Sequence, residues 1–278
     1  MKNILFVLKS MVLKGKENQS FVGAPWVAAL LRATPRKFKR TLSLAVLSQS
    51  PHYFYRHLSD THQNMRFRQF LESEFNRNRE SRSKIMKLIL APYLNPESVV
   101  VDYGCGPGFL ANAVSSRVRQ VLAVDVSQGV LQCARNLNQQ ENISYLHSSE
   151  VEHIAAESVD LVYSFAVIQH VTDEVFDAIL EASFRILKAN GQILLHVVVD
   201  QEQQGWRNER DWVAEKSISG RVKLKWGLNC FNRSGEEVKL RLRNHGFASI
   251  NLQPIESICS ESLDDDIYQQ HLVTAQKA

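Results

Sequence analysis

The chain of 278 residues lacks the marks of several protein classes. Its four cysteines, Cys105, Cys133, Cys230 and Cys259, form no C-x-x-C pair and no metal-ligand spacing. Neither a zinc site nor a disulfide framework is indicated, no metal is expected, and a reducing, cytoplasmic setting is. Long apolar runs are absent too. Ile4-Leu5-Phe6-Val7-Leu8 stops at Lys9, too short for a secretory core, and nothing elsewhere could span a bilayer. With 44% hydrophobic and 22% charged residues, the length suits one α/β domain plus an appendage.

Acidic residues are scarce at one end. Residues 1–97 carry 17 Lys+Arg against 6 Asp+Glu, although the whole chain is only +4. Such a basic third could face nucleic acid, anionic lipid or an acidic substrate, or be a solvated helical surface.

Glycine is sparse, 12 in all, yet three fall within five residues of Val99-Val-Val-Asp-Tyr-Gly-Cys-Gly-Pro-Gly108. Three consecutive valines predict a fully buried strand ending at Asp102. Gly104, Gly106 and Gly108 then allow positive φ and the close approach of a ligand. A helix from Phe109 puts this loop at a strand's C-terminal end, where open α/β sheets bind ligands. G-x-G-x-x-G is not met, because its third position falls on Phe109, and the P-loop Gly-Lys-Ser/Thr is missing. Without lysine or arginine, the loop suits a nucleoside better than a pyrophosphate. A second strand, Val121–Asp125, ends on a carboxylate able to accept both hydroxyls of a ribose.

The acidic-x-G-x-G-x-G loop and the spaced Asp125 resemble the class I S-adenosylmethionine (SAM)-dependent methyltransferases, over about Val99 to Lys277. The resemblance implies SAM as cofactor and a doubly wound, seven-stranded, mostly parallel α/β sheet, the Rossmann-like methyltransferase fold. It places Gly104, Cys105, Gly106 and Gly108 along the methionine part, with Asp102 near its ammonium or ordering the loop. Asp125 would hold the ribose and Val126 lie under the adenine. Ser148 and Ser149 stand where many relatives have an acidic and a small residue at the adenine, and Phe165 follows the fourth strand at the cofactor's edge.

The rest of the chain reads as an N-terminal helical extension, 1–94, and a SAM-binding domain, 95–278. Residues 1–20 show no clear period. Helices are expected over Pro25–Leu31, Pro35–Leu47 and about Thr61–Leu94, the last burying Phe67, Phe70, Leu71, Phe75, Ile85, Leu88 and Ile89. Arg36, Lys37, Lys39 and Arg40 near a helix N-terminus oppose its macrodipole, so something other than helix stability selects them. By the resemblance, such helices cover the cofactor, which makes Tyr53 and Tyr55 candidate pocket residues.

Strands are expected at Ile143–Leu146, Asp160–Ser164, Gln192–Val199, Ala248–Pro254 and Ile267–Ala275, the last two as a hairpin with an antiparallel strand. Helices are expected over Phe109–Val118, over Gln128–Asn136 with Ser127 as N-cap, from Thr172 to Leu187, and from a capping box at Ser234 to Gly246. Asn190-Gly191 should be a turn. Residues 200–232 interrupt this alternation and read as a substrate-side insertion, with Trp206 and Trp226 as candidate walls.

After the fourth strand, Ser164-Phe-Ala-Val-Ile-Gln-His-Val171 lacks the Asn-Pro-Pro-Tyr type and the Pro-Cys of base methyltransferases, and the two-glutamate loop of protein-arginine enzymes. It resembles the small-molecule branch. His170 is the candidate general base for an oxygen acceptor; the alternative is a structural histidine. The expected function is methyl transfer to a small molecule. Rival readings are an RNA or protein methyltransferase using the basic end, and a silent SAM-binding partner subunit. Peripheral membrane contact ranks lower, because cations and apolar residues do not fall on one obvious face. Oligomeric state is left open.

Overall fold

A computed structural model describes residues 21–50, 52–54, 65–200, 206–225, 229–259 and 270–278. The expected helix start at Thr61, the strand start at Ile267, Tyr55 and Trp226 all lie outside them.

The valine run forms β1, Val99–Tyr103, with all three valines buried. It pairs in parallel with β2, Gln120–Asp125, and β4, Val159–Ser164. β3, Ile143–His147, pairs with β2, and β5, Leu187–Val198, with β4, again in parallel. The last two strands are β6, Phe247–Pro254, and β7, Gln270–Lys277. β7 inserts antiparallel between β5 and β6, giving the order β3-β2-β1-β4-β5-β7-β6. This is the doubly wound, mostly parallel sheet expected. The order reverses beside β1, so the C-terminal ends of β1 and β4 diverge into a crevice.

Among the described residues, nine α-helices of five or more residues lie before, between or beside these strands, eight of them ahead of the last. They are α1 (Pro25–Ala33), α2 (Arg36–Leu47), α3 (Phe67–Ile85), α4 (Phe109–Ser115), α5 (Gln128–Leu137), α6 (Asp173–Ile186), α7 (Glu209–Val213) and α8 (Ile218–Lys225). α9, Gly235–Asn244, precedes β6. One sheet face packs on Phe176, Ile179 and Leu180 of α6 and Val238 and Leu242 of α9. The other packs on Leu110, Ala111 and Val114 of α4 and on Ile85–Leu90, where α3 continues as a π turn.

Several expected boundaries move, for local reasons. α4 ends at Ser115, whose hydroxyl bonds back to the Asn112 carbonyl, so Ser116–Val118 are not helical. Asn190-Gly191 does not precede the fifth strand. It is a positive-φ irregularity inside β5, where the register with β4 slips between Leu187 and Gln192. Ser127 precedes α5 without a side-chain cap; its backbone N–H donates instead to Asp125 Oδ1. Thr172 and Ser234 do cap, accepting from the Val175 and Glu237 N–H groups. Phe67 is exposed rather than part of the buried stripe, since it is the first residue of α3.

A third apolar cluster builds the N-terminal extension. Val27 and Leu31 of α1, Leu44 and Leu47 of α2, and Phe70, Leu71 and Phe75 of α3 close over Phe109, Val130 and Cys133. α1 and α2 thus dock on α5, the helix that follows the Asp125 strand. Gly129 is required at that joint, because a Cβ would fall 2.2 Å from the Val22 carbonyl oxygen.

Candidate active site

The glycine loop is drawn onto the end of β2. The Gly104 and Cys105 N–H groups both donate to the Val124 carbonyl, at 2.8 and 2.9 Å, and Gly106 N–H donates to Asp125 Oδ2 at 2.8 Å. Gly104 and Gly106 adopt φ of +85° and +52°. A Cβ on Gly104 would lie 2.3 Å from Val167 Cγ2, so the β1 loop and the loop after β4 touch there. Gly108, at +76°, precedes α4. The outcome is a cradle of backbone, with Val167 packed against Gly104 and Tyr145 against Gly108. Cys105 is buried, and burial pushes its thiol pKa well up, which leaves it a small neutral packing group.

Two carboxylates face this cradle. Asp125 accepts one N–H on each oxygen, from Gly106 and Ser127, and keeps lone pairs for further donors. Burial raises its pKa, while those hydrogen bonds oppose the rise. Asp102 is buried, and its Oδ2 has no partner. Burial first, then repulsion by Asp125, raises its pKa to about 8, with Arg82 of α3 acting in the opposite direction. A buried acid with an empty lone pair beside a glycine cradle is a place for a cation. Val126 is exposed beside Asp125 and offers an apolar surface. A donor set of this kind, two carboxylates and an apolar side chain around a glycine cradle, fits SAM, which carries an ammonium, two ribose hydroxyls and an adenine.

The other expected cofactor residues are placed less directly. Ser149 is exposed and its hydroxyl pairs with His147 Nδ1 at 2.8 Å, while Ser148 is half-buried at the end of β3. Phe165 stacks on His196 of β5, ring centroids 5.8 Å apart at 9°. Tyr53 reaches the cradle from the N-terminal extension: a Cβ on Gly106 would meet its Cε1 at 3.4 Å. Its backbone carbonyl accepts from Asn78 Nδ2 of α3.

His170 sits in a short 3-10 turn, Ile168–His170, after β4. Its Nδ1 is 2.9 Å from the Asn229 carbonyl, which can only accept, so Nδ1 carries the proton and Nε2 the lone pair. Burial lowers its pKa, with the Asn229 bond acting against that shift. His52 lies edge-on to its ring, and its own pKa is lowered to about 3 by burial and then by His170. Both rings are neutral at pH 7.

Asn229 belongs to the 200–232 insertion, so that segment does reach the candidate base. The insertion is not plain loop. Trp206-Arg207 pairs in parallel with Cys230-Phe231, α7 and α8 lie between them, and buried Trp212 donates from Nε1 to the Cys230 carbonyl. Trp206 is placed here by its backbone pairing. Among the described residues, no group of three or more His, Cys, Asp or Glu is arranged to hold a metal.

Residues 101–195 match a family model described as a methyltransferase domain. This segment is a SAM-dependent methyltransferase domain by that match. The matched segment runs from β1 into β5 and contains the cradle, both carboxylates and His170. The chain is 34% identical over 105 residues to a ubiquinone biosynthesis O-methyltransferase of Xanthomonas campestris pv. campestris, covering 36% of this chain and 43% of that protein. It is 30% identical over 104 residues to the protein of that name from Acinetobacter baumannii, with the same coverages. The chain thus spans less than half the length of these curated relatives.

Solved structures share the fold. A SAM-dependent methyltransferase from Mesorhizobium loti superposes with a TM-score of 0.51 at 20% identity, covering 70% of this chain and 97% of that one. Haemonchus contortus phosphoethanolamine N-methyltransferase 2, in complex with phosphomonomethylethanolamine and S-adenosylhomocysteine, gives 0.51 at 17%, covering 77% and 61%.

Three residues around this methyltransferase site carried no readable signal in the sequence. Arg82 is one of several cations on α3, and nothing in its spacing sets it apart from Arg79 or Lys84. His52 precedes the candidate pocket residue Tyr53, and nothing in the sequence marks it as a neighbour of His170. Arg233 lies 63 positions beyond His170, yet its buried guanidinium donates to the carbonyls of Ile168 and Val171, which bracket that histidine.

Proposed function

We propose that this chain transfers the methyl group of SAM to an oxygen of a small molecule, with His170 as general base. The observation that carries the reading is the His170–Asn229 bond, which leaves a neutral Nε2 lone pair beside the loop that touches the glycine cradle. The names of the relatives from Xanthomonas and Acinetobacter support an oxygen acceptor.

When bound, SAM supplies the electrophile, a methyl group on a sulfonium. The chain's own residues then have three tasks. Gly104, Cys105, Gly106 and Gly108 give backbone room, Asp102 takes the ammonium and Asp125 the ribose hydroxyls, while Arg82 supplies a cation for the carboxylate end. His170 Nε2 takes the proton of the acceptor hydroxyl. The extension, residues 1–94, acts as a cap that brings His52 and Tyr53 over the site, and residues 200–232 form the facing wall; both exclude water and align the acceptor. A cytoplasmic location is part of this reading.

The test uses labelled SAM with small phenols and hydroxylated metabolites. Turnover by wild type, reduced at least a hundredfold by His170→Ala with binding of S-adenosylhomocysteine unchanged, is the expected result. Undiminished turnover by that variant overturns the role of His170.

A further inference from the structure

The cap carries a second surface, on the side away from the active site joint. α1 buries Val27, Ala28 and Leu31 against α5 and turns Trp26, Ala29, Leu30 and Ala33 outward. These four positions recur at three- and four-residue steps and make one apolar stripe opposite the packed one. Trp26 is 53% exposed and Leu30 49%. α2 follows after two residues, packs through Ser43, Leu44 and Leu47, and exposes Phe38 to 53%. Both helices therefore spend large apolar side chains on the outside, against the usual economy of a helix that already has a buried face.

The charge of this segment of the chain has one sign. Between residues 18 and 59 the sequence contains no Asp or Glu, whereas Arg32, Arg36, Lys37, Lys39 and Arg40 fall within nine residues. Arg40 is engaged by Glu72 of α3 and lies over the Phe75 ring. Arg36 and Lys37 are exposed in the first turn of α2, with no acid there, and so work against the helix dipole. Lys37 Nζ sits 5.0 Å from the centre of the Phe38 ring, so cation and exposed aromatic share a place. Cations that cost helix stability, placed beside exposed Trp, Leu and Phe, call for a partner that is negative and apolar at once.

We propose that α1 and the first turn of α2 form a docking face for an anionic lipid bilayer. Trp26, Leu30 and Phe38 enter the boundary between headgroups and acyl chains, and Arg36 and Lys37 meet the negative headgroups. A nucleic acid would use the cations but has no use for the Ala29-Leu30-Ala33 stripe. The face lies opposite the helix sides that dock on α5, so lipid contact leaves the packing of the cap intact.

The test is co-sedimentation of the full chain with vesicles of phosphatidylcholine alone, or with one third phosphatidylglycerol. Wild type is expected to sediment with the anionic vesicles, to stay with the supernatant of the neutral ones, and to be released by salt. Arg36→Glu with Lys37→Glu should lower the partition more than tenfold, at roughly fivefold per cation removed from an anionic surface. Trp26→Ser with Leu30→Ser should lower it at least as far with the charge of the face unchanged. Unchanged melting temperature and S-adenosylhomocysteine affinity in both variants show that the fold is kept, as expected for exposed side chains. Three results overturn the proposal: no sedimentation of wild type with anionic vesicles, equal sedimentation of the Trp26/Leu30 variant, or a wild-type dimer whose formation those substitutions abolish without any vesicle binding. Retention on RNA without vesicle binding overturns it as well.

Discussion

His52 lies edge-on to His170, with ring centroids 5.4 Å apart and planes at 82°. A residue of the N-terminal extension and one of the turn after β4 thus share one desolvated contact. Since burial lowers the pKa of both, each keeps its lone pair at neutral pH. The acidic limb of kcat/KM should therefore fall below pH 6.5, the ordinary histidine value, and disappear in His170→Ala. A pH profile with its limb above 7 would contradict the neutral assignment.

Asp102 couples the cofactor to proton release. Its carboxyl, raised to about 8 by burial and with Oδ2 unpartnered, is protonated at pH 7, whereas an ammonium beside it favours the ionised form. Binding S-adenosylhomocysteine at pH 7 should release close to one proton. Calorimetry in two buffers of different ionisation enthalpy measures it, and Asp102→Asn should abolish the difference.

The same group sets a stability slope. Its folded-state pKa lies above the unfolded value of about 3.9, so the cofactor-free fold holds the extra proton between roughly pH 4 and 8. That contribution is full below pH 4 and is lost as the pH rises towards 8. Asp102→Asn should flatten the melting temperature over this window; an unchanged slope would place the effect elsewhere.

Asp125 ties two N–H groups of the cradle and is the expected ribose anchor. Asp125→Ala removes both bonds at once, each about 1.5 kcal/mol or more because the acceptor is charged. S-adenosylhomocysteine affinity should drop by at least a hundredfold in titration calorimetry, with the protein still folded.

Arg233 holds the His170 turn from a distance. Its buried guanidinium donates to Ile168 and Val171 and pairs with Asp173 at 2.8 Å. Arg233→Met leaves the Ile168 and Val171 carbonyls without their buried donor and Asp173 with Arg241 as its remaining cation. About 3 kcal/mol of stability should go, the lower end for a broken buried pair because Asp173 is one-third exposed. The melting temperature should fall, and kcat should fall with little change in KM for SAM if the turn positions the base.

The sequence alone determined what is written in contiguous residues. The valine run, the three glycines and Asp125 lie within 27 positions, and a backbone that must turn at positive φ admits few residues other than glycine, so the cradle could be read directly. The caps at Thr172 and Ser234 were equally local. Tertiary structure decided the rest. Arg82 faces Asp102, Asn229 fixes the tautomer of His170, Arg233 brackets it and His52 touches it only because the cap docks on α5 and the insertion returns to the end of β4. Periodicity reports which face of one element is buried; it does not report which element, a hundred residues away, will cover it. The outward stripe of Trp26 and Leu30 shows the same limit: it became visible as a surface only once Val27, Ala28 and Leu31 had been committed to the core.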